Sequence, residues 1–213
     1  MDEDWLYEPE PKNNKRRIAA IVSVIVVIAL AVLTASLLAE FVLGTFIVNG
    51  HSMDMTLDGG TSPGDPGYSE YDGETLILNK TAKIKRGDIV VFKYDWGAPV
   101  GDSTRSLVKR AIGLPGDFLQ IVDNVLYVNG EAKTEVYING PMHFREDYIW
   151  GSNLGRDIYI DGFTVPADHI FCMGDNRNNS KDSRMIGAVP MEKVAGKCVA
   201  ILDNKGGIRF PKR

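Results

Sequence analysis

The sequence predicts a mainly β protein: one N-terminal transmembrane helix followed by an extracytoplasmic, mostly antiparallel β-domain. Three observations carry this. Residues 18–39 form a 22-residue apolar run with no charge, proline or glycine. Beyond it, short runs rich in β-branched and aromatic residues recur between Gly, Pro, Asn and Asp. No ten-residue stretch outside the apolar run shows a convincing 3.6-residue period, so little further helix is expected. The averages hide this division. With 28 acidic and 24 basic side chains the 213-residue chain carries −4, which argues against a dedicated nucleic-acid binder. A hydrophobic content of 44% excludes wholesale disorder, and two cysteines exclude a disulfide-stapled miniprotein.

A helix of 22 residues spans about 33 Å, enough for a hydrocarbon core of about 30 Å. A buried core helix would show a polar stripe. Here only Ser23, Thr34 and Ser36 interrupt, and each can bond its own backbone. The apolar region of a cleaved signal peptide runs about 7–15 residues, so this segment reads as an uncleaved anchor. Lys12, Lys15, Arg16 and Arg17 precede it, whereas Glu40 follows it and the next basic residue is Lys80. Positive charge stays inside and acids count for little. Residues 1–17 are therefore a cytoplasmic tail, 18–39 the single plasma-membrane span, and 40–213 an extracytoplasmic domain.

Strands are expected at 45–48, 75–78, 88–94, 107–112, 118–122, 125–128, 170–173 and 197–202. Asp123-Asn124 reads as a tight hairpin turn, and Pro115-Gly116 as the centre of a type II turn. Residues 58–73, crowded with Gly, Pro, Ser and acids, read as a loop. Residues 131–162, with Tyr137, Tyr148, Trp150 and Tyr159 among polar residues, read as an insertion or small subdomain. Cys172 and Cys198 lie in two late strands. They can pair if those strands are neighbours, but two buried thiols are the simpler expectation.

Three segments carry candidate chemistry. The first is Gly50-His51-Ser52-Met53-Asp54, a serine just past a strand. Taken alone it reads as a turn residue, because a nucleophile elbow needs glycine where Asp54 stands. His51 points away from its neighbour in an extended chain, so it is poorly placed as a base. His143 and His169 lack a partner pattern. The second segment is 107–117, in which Leu107, Lys109 and Ala111 share one face. Lysine acts as a base near neutral pH only if burial lowers its usual pKa of about 10.4 by about 2–3 units. Without other evidence, a lysine snorkelling from a sheet edge is the simpler reading. The third segment, 174–187, packs both charge signs and several amides between two glycines, the composition of a polar network that orients a site.

Together these segments resemble the type I signal peptidase family in its prokaryotic form. The family's Ser-Met-x-Pro-Thr-Leu box corresponds to Ser52-Met53-Asp54-Met55-Thr56-Leu57. Its Arg-Gly-Asp-Ile/Val-Val strand corresponds to Arg86-Gly87-Asp88-Ile89-Val90-Val91. Its Lys-Arg-x-Ile-Gly-x-Pro-Gly-Asp box runs from Lys109 to Asp117, and its Gly-Asp-Asn-Arg-x-Asn-Ser-x-Asp-Ser-Arg box from Gly174 to Arg184. Four boxes in order are far more specific than any one. The resemblance implies Ser52 as nucleophile and Lys109 as general base. It implies Ser180 orienting the Lys109 amine, Asp182 paired with Arg184, and Asp175 in support. The Ser52 N–H would serve as oxyanion donor, with Gly50 where some relatives add a serine. Phe46, Val48 and Val108 would line small apolar pockets for Ala-x-Ala.

The implied activity is a membrane-bound serine endopeptidase that removes signal peptides from exported preproteins. It would work as a monomer in contact with lipid, with no cofactor, metal or nucleic acid. The chain departs from the pattern at three places. Met55 replaces the box proline, which would stiffen the turn. The Gly-Asp pair expected after Leu57 is delayed to Gly73-Glu74, an insertion of about a dozen residues within the loop. Asn178 replaces an acid. Two rival readings remain: a non-catalytic tethered binding domain of the same fold, and a Ser/Lys peptidase dedicated to one secreted substrate.

Overall fold

The computed structural model describes residues 14–61, 66–69, 72–97, 104–138, 140–143, 158–159 and 161–213. Most of the expected cytoplasmic tail (1–13), and Tyr148 and Trp150 of the 131–162 segment, lie outside the described residues. Helix α1 (Asn14–Val42) overruns the apolar segment by about a turn at each end, and it is long and apolar enough to cross a membrane. Inside it, the Ser23 and Thr34 hydroxyls donate to the carbonyls of Ala19 and Leu30, as expected for polar side chains in an apolar helix.

The remainder is β. The strands are β1 (Leu43–Ile47), β2 (Thr75–Asn79), β3 (Ile89–Asp95), β4 (Thr104–Gly113), β5 (Phe118–Val122) and β6 (Val125–Val128). They continue with β7 (Glu131–Ala132), β8 (Phe163–Thr164), β9 (His169–Met173), β10 (Val189–Pro190), β11 (Val194–Leu202) and β12 (Ile208–Arg209). Every pairing is antiparallel. The large sheet runs β1-β2-β11-β3-β4-β9-β10 with β12 on β11, and the small sheet runs β7-β6-β5-β8. All eight expected strands are present, β5 and β6 with the expected bounds. The four two-residue strands were not anticipated, being too short to show any periodicity. Beyond α1 the described helix is slight: residues 158–159, α2 (Ser183–Ile186) and a 3₁₀ turn at Met191–Lys193.

Turn chemistry fixes the local register. Asp123 and Asn124 both have positive φ (48° and 66°), which closes β5 onto β6 with the twist a two-residue hairpin prefers. Gly116 supplies φ 84° where the Asp117 N–H bonds back to Leu114. Residues 133–162 leave the small sheet after β7 and return to it at β8.

Alternation on β3 sorts the core. Ile89 and Val91 join Val48, Met53, Leu76 and Ile201 on one face of the large sheet. Val90 and Phe92 join Ile170, Cys172 and Val189 on the other. A third cluster, including Leu119, Leu126, Phe163 and Phe171, joins the small sheet to the ends of β4 and β9. Cys172 on β9 and Cys198 on β11 are separated by β3 and β4, so the strands are not neighbours and both thiols are free and buried. Burial pushes the Cys198 thiol up to about 12, leaving an inert apolar filler.

Candidate active site

The serine segment leaves β1 through Gly50, whose φ of 88° favours glycine and would strain a serine there. A compact turn follows. The N–H groups of Thr56 and Leu57 both donate to the Met53 carbonyl at 3.0 Å, and the Met53 side chain is fully buried. The Ser52 hydroxyl accepts a 2.6 Å hydrogen bond from Lys109 Nζ. His51 instead contacts Asp54 through Nδ1 at 3.1–3.2 Å, outside the serine–lysine pair. Met55 has φ 84°, so the turn does more than lack the proline's stiffness. Its backbone is one that proline, locked near −65°, cannot adopt.

Lys109 sits in β4, between β3 and β9. It is opposed by Val90 on β3 and shares its face with Leu107 and Ala111, the last opposed by Cys172. It is 2% exposed, so it is a core residue and not a snorkelling edge lysine. Its amine donates to Ser52 Oγ and, at 2.8 Å, to the Val108 carbonyl. Burial disfavours the ammonium and lowers the pKa from 10.5 to about 8, against an opposing pull from the charges of Asp182 and Asp175. No carboxylate forms an ion pair with it among the described residues.

The polar segment after β9 wraps the serine. Asn176 donates its backbone N–H to the Ser52 carbonyl (3.1 Å) and its side-chain amide to the His51 carbonyl (2.9 Å). Gly174 is required by close approach, because a Cβ there would strike Ser180 Oγ and the Ser52 carbonyl. Ser180 is 4% exposed, and its hydroxyl is among the groups that hold the Asp182 carboxyl below its ordinary range. Asp182 caps α2, accepts from the Gly174 N–H (2.9 Å), and pairs in bidentate fashion with Arg184 at 2.8 and 2.9 Å. Burial opposes the Asp182 charge. Arg184 and these hydrogen bonds outweigh it, and the carboxyl stays below its ordinary range. Asp175, fully buried, binds Arg110 at 2.8 and 2.6 Å and accepts from Thr56 Oγ1 at 2.5 Å.

The expected pocket residues meet in one apolar cluster: Val48 (1% exposed), Val108 (4%) and half-buried Phe46. Several groups the sequence reading passed over also meet here. The Arg110 guanidinium stacks 3.9 Å from the Tyr137 ring centroid. Arg177 pairs with Glu135 at 2.5 Å, tying the 131–162 segment to the polar loop. Asn178 explains its own substitution for an acid. Its Oδ1 accepts from the His143 N–H while its Nδ2 donates to the Pro141 carbonyl, and a carboxylate cannot donate. Contacts spanning 35–42 residues leave no spacing signal in a single sequence. No group of His, Cys, Asp and Glu among the described residues is arranged to hold a metal.

Comparison with protein families matches residues 21–202 to "Signal peptidase, peptidase S26". Signal peptidase I of Bacillus licheniformis is 34% identical over 194 residues, covering 89% of this chain and 90% of that protein. Signal peptidase IB of Staphylococcus aureus strain Mu50 is 31% identical over 181 residues, 81% of this chain and 84% of its own. A crystal structure of a signal peptidase I from Enterococcus faecalis V583 aligns at 29% identity with a TM-score of 0.35, over 55% of this chain and 97% of that one.

Proposed function

Because the chain belongs to the signal peptidase family, peptidase S26, whose members are serine endopeptidases, we propose that it cleaves signal peptides from exported preproteins with Ser52 as nucleophile and Lys109 as general base. The observation that carries this reading is the 2.6 Å contact from Lys109 Nζ to Ser52 Oγ, made by an amine 2% exposed. An amine with a pKa of about 8 is neutral in about a tenth of molecules at pH 7, where an ordinary lysine is neutral in fewer than about one in 10³, and a base must be neutral to act.

In this mechanism Ser52 Oγ attacks the scissile carbonyl while its proton passes to Lys109. The ammonium then protonates the leaving amine and the bond to the mature chain breaks. Water next gives its proton to Lys109, attacks the acyl-enzyme, and frees the signal peptide as a carboxylate. The Ser52 N–H, which donates to no backbone carbonyl among the described residues, is the available oxyanion donor. In this reading Ser180 orients the amine, the Asp182–Arg184 pair holds that loop, and Asp175 supports the site. Phe46, Val48 and Val108 form the apolar wall for small side chains before the cleavage site.

In this reading α1 is the membrane anchor, with the N-terminus cytoplasmic and residues 40–213 outside, where cleavage sites emerge. Ser52 follows the apolar run by 13 residues, a spacing that can place it near the lipid surface. The domain acts as a monomer, and the 131–162 segment is an embellishment of it.

Preprotein cleavage by the full chain in lipid vesicles tests this. Wild type cleaves, and Ser52→Ala and Lys109→Met each lose at least about 10³-fold. Wild-type rates in either variant refute the dyad. A wild-type chain that binds preproteins without cutting them favours the tethered binding domain, and one that cuts a single precursor favours a dedicated peptidase.

A further inference from the structure

The serine segment is gripped at Thr56 from two sides. From within, the Thr56 hydroxyl donates to Asp175, itself fixed by Arg110. From the other side, Arg209 Nη2 donates to the Thr56 carbonyl at 2.7 Å. Arg209 is 153 residues away in sequence and belongs to none of the four boxes. The same guanidinium binds both oxygens of Glu74, at 2.6 and 3.3 Å.

Glu74 explains why an arginine is needed here. Its side chain is 7% exposed, and its groups close the long loop that begins just after Leu57. Glu74 Oε2 accepts from the Asp58 N–H (2.9 Å), its N–H donates to the Asp58 carbonyl (2.9 Å), and its carbonyl accepts from the Val48 N–H (2.8 Å). Both ends of the 58–73 loop are thus pinned to the end of β1. Loop motion would otherwise reach the nucleophile turn through Leu57. The segment bearing Arg209 is anchored too: β12 pairs with β11, the Lys212 carbonyl accepts from Arg110 at 2.8 Å, and Arg213 Nε donates to Asp88 at 2.6 Å.

We infer that Arg209 is a positioning residue for the nucleophile. It clasps the Thr56 carbonyl and Glu74 together, and so holds the Ser52 turn in register with Lys109 despite the inserted loop. A planar fork can serve a carbonyl and a carboxylate at once, where an ammonium presents a single charged point. The inference rests on the Ser52–Lys109 reading above.

Steady-state cleavage of a preprotein by the full chain in vesicles tests it, with thermal unfolding measured alongside. Arg209→Met lowers kcat about tenfold with KM within about twofold, since a nucleophile displaced by a fraction of an ångström loses rate and not binding. Arg209→Lys falls between, about threefold down, and carries the test if the methionine variant does not fold. A kcat within twofold of wild type for both variants, whatever their melting temperatures, overturns the clasp and shows a structural role only. Ser52→Ala runs in parallel. If it is inactive while Arg209 variants are unimpaired, only the clasp is wrong; if it cleaves like wild type, the dyad fails and the clasp with it.

Discussion

Lys109 and Arg110 are adjacent on one strand, and both are buried basic side chains, 2% and 0% exposed. Their surroundings differ in kind. Arg110 faces Asp175 in a bidentate pair, donates to the Gly87 and Lys212 carbonyls, and stacks on Tyr137. Lys109 faces apolar side chains, one hydroxyl and one carbonyl. A buried charge that is fully partnered stays charged and holds structure together. A buried amine denied a carboxylate gives up its proton instead, which is what a general base requires. One strand thus supplies a structural cation and a reactive neutral amine, and the pleat sends them to opposite faces.

Substitutions at the two positions should therefore have opposite signatures. Lys109→Met abolishes cleavage, by at least about 10³-fold, yet leaves the melting temperature equal or higher because a poorly solvated amine is gone. A fall in stability comparable to the loss of a buried ion pair would break the contrast. Asp175→Asn does the reverse to its neighbour: it strands the Arg110 guanidinium and destabilises by about 3–5 kcal/mol in urea titration. A cost below about 1 kcal/mol would mean Arg110 is solvated in some way the structure does not show.

A smaller effect tests the packing around Arg110. Tyr137→Leu removes the aromatic face under the guanidinium, and urea titration should register a loss of about 1–2 kcal/mol. An unchanged midpoint would make the stacking incidental. The smallest concerns the nucleophile turn. Met55→Gly relieves a side chain held at φ 84° and should stabilise by about 1 kcal/mol. Met55→Pro, which restores the family's residue, should lower both stability and cleavage here. Improved activity in the proline variant would show that the turn adopts the ordinary negative φ.

Much of this contrast was legible in the sequence, and the reasons for the gaps are physical. Strong apolar runs marked the eight longer strands, and alternation set Lys109 between Leu107 and Ala111 on one face. A one-dimensional pattern cannot tell an edge strand from β4, covered by β3 and β9. Only the sheet order, with β4 between β3 and β9, excludes a snorkelling lysine. The two-residue strands carry no period at all. The ion pairs Arg110–Asp175, Arg177–Glu135 and Arg209–Glu74 join residues 42 to 135 positions apart, and each partner alone looks like ordinary surface charge. The cysteines could be judged as buried thiols from their apolar setting, but only topology separates their strands.

The pH dependence follows from Lys109. Its folded pKa lies below the unfolded one, so between about 8 and 10.5 the unfolded chain holds the extra proton and stability rises with pH. Cleavage needs the neutral amine, so kcat/KM should climb through about 8 and drop tenfold per unit well below it. The most direct measurement is the titration of the Lys109 side-chain nitrogen by NMR in the full-length protein in micelles, with Lys109→Met to assign the signal. The midpoint is expected near 8. A midpoint at the ordinary lysine value of 10.5 would contradict it, because Lys109 would then be a buried ammonium and not a base.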